Sequence, residues 1–317
     1  MNENNYIEGL VSVIIPTFRR NDYLKRAIES VILQTYTNIE VIIVDDNFKN
    51  DLYSKKVQEI IKEFNNSKIK YINPKNHKNG SFARNEGLKV ARGMYISFLD
   101  DDDYWDKTKV EKQVKLLATL NKEYIAVACL KVYVNKNKII RAGLPYKDGD
   151  VLEKILMRDI DISTCTTLIY HNCIKEIGGF DINLKRKQDI EFYIHLFRNG
   201  KLKLLKEHLA FIDISNDINN NLNYNELVNM NENFFFSIKD VLDNYSLKKQ
   251  KQIRAIYDFE CGRHLWIKEK KIFLSIKLCK GGIVKVSCII SLVKRMLRKY
   301  IETKYHNRII GWYKNEV

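Results

Sequence analysis

The sequence predicts an α/β protein: a mainly parallel twisted sheet with helices on both faces, followed by a helical C-terminal extension. Three observations predict it. Short β-branched apolar runs recur through the first hundred residues, and segments with helical spacing separate them. The runs are continuous rather than alternating, the mark of strands covered on both faces.

VSVIIP (Val11–Pro16) is the first such run, stopped by proline. Asp22–Gln34 follows, with Leu24, Ala27, Ile28, Val31 and Ile32 on one helical face. IEVIIVDD (Ile39–Asp46) repeats the strand signal, and Val57, Ile60, Ile61 and Phe64 give a second helical face. A third strand is expected at Lys68–Asn73, a helix at Ser81–Ala91 and a fourth strand at Met94–Leu99. The spacing then predicts a helix over Lys107–Leu120, with Asp106 placed to cap it. Further strands are expected near Ile125–Val134 and Thr166–Tyr170, with a tight turn at Gly178-Gly179 and a helix at Asp189–Arg198. Asn216–Asn225 is asparagine-rich and reads as a loop, and from Glu226 onward the pattern is helical. These elements divide the chain into residues 1–120, 121–225 and a basic helical extension over 226–317.

With 317 residues, 45% of them hydrophobic, the chain can bury a sizeable core. The formal net charge is +15, but residues 246–317 hold 18 Lys and Arg against 5 Asp and Glu, leaving +2 for everything before them. Basicity confined to a tail argues against nucleic acid as a partner of the main fold. The six cysteines form no C-x-x-C pair, which suggests free thiols in a reducing compartment rather than a zinc site or disulfide framework. No signal peptide is evident at the N-terminus, and no stretch approaches the ~20 apolar residues of a spanning helix. A cytoplasmic protein is expected.

In sheets of this kind ligands sit at the carboxyl ends of the strands. Pro16-Thr17-Phe18-Arg19-Arg20, Asp45-Asp46-Asn47 and the run Asp100–Asp103 should therefore face one crevice. Four consecutive aspartates form either a solvated loop or a cation site. Their place at the end of an interior strand favours a magnesium or manganese ion with phosphate oxygens completing its shell. A nearby cation and helix N-terminus at Arg84-Asn85 would suit a diphosphate. Asp189 reads as a helix N-cap by spacing alone, and His195 as a helix residue on a half-buried face. The chain has no G-x-G-x-x-G after the first strand, no G-x-x-x-x-G-K-[ST] and no G-x-S-x-G. Dinucleotide-dependent dehydrogenases, P-loop enzymes and nucleophile-elbow hydrolases are thereby disfavoured.

The order VSVIIPTFRR, SVILQTY, IEVIIVDDN and ARNEGLKVARGMYISFLDDDDYW, over about residues 10 to 200, resembles glycosyltransferase family 2 with the GT-A fold. The resemblance implies a bacterial polysaccharide-type enzyme that transfers a sugar from a UDP-sugar. It assigns Pro16, Thr17, Phe18 and Arg20 to the first nucleotide-contacting loop, Asp46 to the uracil edge and Arg84 to a basic nucleotide contact. Asp100 and Asp102 match its D-x-D: Asp100 and Asp101 on the nucleotide side, Asp102 holding Mn²⁺ or Mg²⁺, with Asp103 in an outer position. Asp189 matches its catalytic base, implying inversion at the anomeric carbon. Gln188 stands where the family usually has an acid, and Phe48 where a small residue is usual.

The processive members of that family carry a Q-x-x-R-W motif and membrane spans. This chain has neither, so one sugar per acceptor is expected, the acceptor being a glycan or lipid-linked oligosaccharide in O-antigen or capsule synthesis. A nucleotidylyltransferase would want glycines that PTFRRND lacks, and a non-catalytic binding module would not need both Asp102 and Asp189. Within residues 283–305, Val286, Ile289, Ile290, Val293, Leu297, Tyr300 and Ile301 share one helical stripe. That stripe fits two readings: packing on the catalytic domain, or lying on an anionic membrane surface at the inner face of the cytoplasmic membrane.

Overall fold

The structure is a computed structural model, which describes residues 6–20, 22–215, 223–269, 297–308 and 310. Its N-terminal half is built as the apolar runs predict. β1 (Ile7–Thr17), α1 (Leu24–Ile32), β2 (Ile39–Asp45), α2 (Leu52–Phe64), β3 (Ile69–Ile72), α3 (Gly80–Val90) and β4 (Gly93–Phe98) follow in order. Beyond them come β5 (Tyr104–Trp105), α4 (Lys109–Ala118), β6 (Tyr124–Asn135), β7 (Lys138–Ala142), α5 (Leu152–Leu156), β8 (Thr167–Tyr170) and α6 (His171–Glu176). The C-terminal part holds α7 (Gln188–Leu196), β9 (Lys201–Asp213), α8 (Tyr224–Ser237), α9 (Lys239–Leu242) and α10 (Leu247–Glu269).

One sheet runs through all of this in the order β3-β2-β1-β4-β8-β6-β9-β5, with β7 on β6. β3, β2, β1 and β4 are mutually parallel. Beyond β4 the sheet is mixed: β8 is antiparallel to β4 and β6, whereas β9 is parallel to β6. The two faces carry separate cores. On one, Val13, Ile15, Val41 and Ile43 pack with α1, α2 and α4; on the other, Ile14, Ile42, Val44 and Phe98 pack with α3, α5, α7 and the helices after β9. Both faces of β1 and β2 are therefore apolar, which is why these strands read as unbroken runs.

Five elements were not anticipated: β5, β7, α5, α6 and β9. β9, thirteen residues long, intersperses three lysines and two acids among its apolar positions, and it pairs with β6 through three register shifts that blur any period of two. β5 is only two residues, held by β9 through Tyr104 opposite Phe211, whose rings stack at 4.7 Å.

Three boundaries differ from expectation for identifiable reasons. The Asp106 carboxylate accepts from the Thr108 N–H and hydroxyl, a turn that precedes the helix, so α4 starts only at Lys109. Asp189 is not an N-cap; the cap is Lys187 in the left-handed region (φ +63°), and Asp189 lies inside the first turn of α7. The asparagine-rich loop ends earlier than Asn225, because Asn223 and Glu226 close a reciprocal capping box that starts α8 at Tyr224. Its remainder, residues 216–222, lies outside the described residues.

Residues 283–296 also lie outside them, with Cys279 and Cys288; the other four cysteines are free thiols. The helical residues 297–304 dock through charge rather than through the apolar stripe. Glu302, 2% exposed, accepts from Arg141 at 2.8 Å and Arg298 at 3.1 Å, and Arg298 also donates to the Leu144 carbonyl. Leu297, Tyr300 and Ile301 remain exposed. No helix among the described residues is long and apolar enough to cross a membrane.

α3 sits unusually close to the sheet. A Cβ at Gly87 would lie 2.5 Å from a methyl of Ile14 and 3.2 Å from Val44. Gly87→Ala is therefore expected to destabilise the fold by about 1–3 kcal/mol, the usual cost of overpacking, measured as a lowered urea midpoint with an unchanged slope.

Candidate active site

The ends of β1, β2 and β4 and the start of α3 enclose an open cleft of about 310 Å³. Pro16, Thr17, Phe18, Arg20, Asp46, Arg84, Asp100, Asp101 and Asp102 line it, together with Gly80 and Ala83. The structure thus brings nine of the ten residues singled out in the sequence to one place.

Backbone geometry explains the convergence. The Asp46 N–H donates to the Thr17 carbonyl at 2.9 Å, tying the β2 end to the β1 end. Arg19 turns the chain at φ +54°, and its N–H donates to Asn47 Oδ1, so Arg20 returns toward the cleft. Asp45 is not free for ligand: its carboxylate accepts from Asn47 and from the Tyr71 hydroxyl, and Asn73 donates to its carbonyl. The residue after it, Asp46, is the one presented to the cleft.

The four aspartates divide their tasks. Asp100 pairs with Arg84 and Asp102 with Arg20. Asp101 is buried and accepts the Thr17 hydroxyl at 2.7 Å; Asp103 is buried and accepts the Asp213 N–H at 3.0 Å. Burial pushes Asp101 up to about 7 and Asp102 up to about 6, with the neighbouring carboxylates adding to each and, respectively, Thr17 and Arg20 opposing. Burial also raises Asp46 to about 6, against the pull of His77, whose Nδ1 lies 3.4 Å from it. For Arg84, burial is more than offset by Asp100 and then Asp189, so the guanidinium ends above its ordinary value.

Asp189 does not line this cleft, but it stands close enough to Arg84 to act on its charge. The turn before it is pinned to the same helix. Asn85 exchanges two hydrogen bonds with Phe180, at 2.8 and 2.9 Å, and Asn79 donates to the Ile182 carbonyl. At Gly179, φ is +84° and a Cβ would meet Asn85 Oδ1 at 2.6 Å, so only glycine fits.

Three participants escaped the sequence reading. Arg26, from α1, donates to the Asp102 carbonyl at 2.6 Å and to Asp213 at 2.8 Å, bracing the aspartate run from below. Asp213 lies more than a hundred residues away, at the end of the unanticipated β9. His77 has no local pattern to betray it.

Among the described residues no group of three or more His, Cys, Asp or Glu side chains forms a ready-made metal site. The donor set fits a different kind of site. Magnesium and manganese take one or two carboxylates and complete their shell with phosphate and water oxygens, and Asp102 offers a partly exposed carboxylate on the cleft wall. Its partner, Arg20, is 42% exposed.

Comparisons with known proteins agree with this architecture. The sequence model described as Glycosyl transferase family 2 matches residues 12–208. The Escherichia coli protein named UDP-Glc:alpha-D-GlcNAc-diphosphoundecaprenol beta-1,3-glucosyltransferase WfaP is 30% identical over 191 residues, covering 60% of this chain and 71% of that protein. S. aureus TarS 1–349, solved with UDP-GlcNAc, superposes with a TM-score of 0.63 at 17% identity, over 94% of this chain and 92% of TarS. A Pyrobaculum calidifontis mannosyltransferase, solved with GDP-Man and Mn²⁺, gives 0.57 at 12% identity, over 95% and 83%. The structural likenesses establish a shared fold, and the sequence match extends through both strand-end loops, the aspartate run and α7: the chain belongs to glycosyl transferase family 2 and is a glycosyltransferase.

Proposed function

We propose that the protein moves one sugar from a UDP-sugar to a hydroxyl of a lipid-linked glycan acceptor, with inversion, in bacterial cell-surface polysaccharide synthesis such as O-antigen or capsule assembly. One observation carries this: the 310 Å³ cleft at the strand ends collects two arginines and four carboxylates around a floor of β1 and α3. The lipid-linked acceptor is supported by the name of the E. coli relative, which acts on a diphosphoundecaprenol-linked GlcNAc.

In this reading Asp46 accepts from the uracil edge and Phe18, 46% exposed, covers the base. Pro16 and Thr17 shape the loop beneath it, Asp100 holds the ribose, and buried Asp101 fixes Thr17. Asp102 would hold Mn²⁺ or Mg²⁺. When bound, that ion neutralises the diphosphate as it leaves. Arg20 and Arg84, released from their carboxylates, turn to phosphate oxygens. Asp189, in the first turn of α7, takes the proton from the acceptor hydroxyl as its oxygen attacks the anomeric carbon from the face opposite the diphosphate. One base and one displacement give inversion.

The tail has a place in the same scheme. Leu297, Tyr300 and Ile301 are exposed beside Lys304, so the helix docks by Arg298 and Glu302 and turns an apolar, basic side outward. We assign this side to the anionic inner face of the cytoplasmic membrane, where a lipid-linked acceptor would reside.

Three measurements check these assignments. Calorimetric titration of UDP should show binding with Mn²⁺ that is lost in EDTA, and Asp102→Asn should lose the metal-dependent part; binding indifferent to metal in both proteins would remove the cation. Because Asp102 takes its proton near pH 6 rather than near 4, this metal-dependent affinity should fade as pH falls below about 6. The sign for stability is opposite. The folded chain retains a proton that the unfolded chain releases between about pH 4 and 6, so this group's contribution to stability declines as pH rises through that window. Asp189→Asn should lower kcat on the order of 10²–10⁴-fold with UDP affinity unchanged, and unchanged turnover would exclude it as the base. Sedimentation with phosphatidylglycerol-rich vesicles, but not phosphatidylcholine vesicles, should bring the protein down; a protein left in the supernatant with both would refute the membrane assignment.

A further inference from the structure

On the far flank of α7, away from the nucleotide cleft, lies a second pocket of about 510 Å³. Its walls are the turn at Gly178-Gly179, the start of α7, and the last turns of α8. The volume falls within the range typical of small-molecule sites. Nothing in the roles assigned above uses it.

Two of its side chains are unexplained by the fold. α8 buries Phe234 and Phe235 fully against Tyr257, yet the next residue, Phe236, stands 80% exposed at the pocket rim. Glu191, on the same pocket's wall, is 6% exposed; its Oε2 makes no close hydrogen bond among the described residues, and the Asp181 N–H is the backbone donor that acts on the carboxyl. A buried carboxylate oxygen without a close donor is unfavourable, and a bound hydroxyl would satisfy it. Its other oxygen lies 3.3 Å from His195 Nε2, the nitrogen that also meets the Ser237 carbonyl at 3.1 Å. Asn233, exposed on the same wall, adds an amide that both donates and accepts.

The charge around the pocket narrows the ligand. Asp181 lines it beside Glu191, and Asp240 is near enough to act on the Glu191 carboxyl. Burial, reinforced by these two acids and opposed by the Asp181 N–H, raises Glu191 to about 7, so near neutrality it can both accept and donate. A phosphate or carboxylate would be repelled. A neutral ligand with a flat apolar face and a rim of hydroxyls meets every feature: the face on Phe236, the hydroxyls on Glu191 and Asn233.

We propose that this pocket is a saccharide-binding subsite that grips a sugar of the acceptor remote from the reacting hydroxyl. Glu191 and Asp189 are two residues apart, which places them about 200° apart around the helix axis. A sugar on Phe236 is therefore on the other side of α7 from the base, and the acceptor chain passes over the helix N-terminus to reach it. The inference rests on the reading of the chain as a glycosyltransferase with a glycan acceptor, and it extends that reading to acceptor recognition.

Saturation-transfer NMR with glucose, galactose, mannose and N-acetylglucosamine tests it, with UDP calorimetry on the same samples. At least one sugar should receive saturation from the wild-type protein. Phe236→Ala and Glu191→Gln should each weaken its binding about tenfold, the loss of a ring stack or a directed hydrogen bond, while Phe236→Tyr keeps it and UDP affinity is unaltered in all three. No transfer to any of the four sugars, or transfer that survives Phe236→Ala undiminished, would overturn the subsite. Transfer that depends on Phe236 in a protein that fails to bind UDP would support the subsite and count instead against the nucleotide assignment.

Discussion

The structure is organised around an electrostatic demand at the end of β4. Four aspartates follow one another where the chain leaves an interior strand, and two unit charges 4 Å apart repel by about 4 kcal/mol even at an effective dielectric of 20. The fold meets that demand in three ways. It buries Asp101 and Asp103 where protonation is favoured, and it brings Arg20 to Asp102 and Arg84 to Asp100. It also braces the run from beneath with Arg26. These arginines come from the loop after β1, from α3 and from α1, so the carboxylates can be balanced only once the first four strands and their crossovers are in register.

This dependence explains what could be read from the sequence. β1, β2 and β4 are buried on both faces, and burial on both faces leaves an unbroken apolar run. Once the parallel order was read, the strand-end rule gave Pro16–Arg20, Asp46 and Asp100–Asp102 a common address without any knowledge of side-chain contacts. What stayed hidden depends on contacts between distant segments. β9 mixes charged and apolar residues because its pairing with β6 slips three times, so Asp213 at its end had no recognisable setting. Arg26 lies among the polar positions of an ordinary amphipathic helix, and only the fold shows that this side faces Asp102 and Asp213 rather than water. The tail was legible as a stripe, but not in orientation. A buried Glu302 between Arg141 and Arg298 reverses the side that docks, and no periodicity of apolar residues can reveal that a helix is anchored by its charges.

The second half of the sheet follows a different logic from the first. β6 is the hub there, pairing with β7, β8 and β9 in both senses, and its buried Lys131 is held by Asp161 and Ser163. Polar groups satisfied in this way fix the geometry of this half of the sheet at places where apolar packing alone would leave the register free. The same device recurs at Glu40, which gathers Ser12 and Arg92 and so joins β2, β1 and the approach to β4.

α3 has a consequence that goes beyond positioning one arginine. Its consecutive residues Arg84 and Asn85 face different neighbours: Arg84 meets Asp100 in the strand-end cleft, and Asn85 clasps the backbone of Phe180 ahead of α7. Gly87 keys the same helix onto Ile14, leaving it little room to deform internally. The helix is therefore a lever with a handle in each half of the molecule: a tilt that draws Arg84 toward a phosphate must also carry the Phe180 turn, and with it the approach to Asp189. On the proposed function, occupancy of the donor side and the posture of the acceptor side would in this way be one mechanical variable.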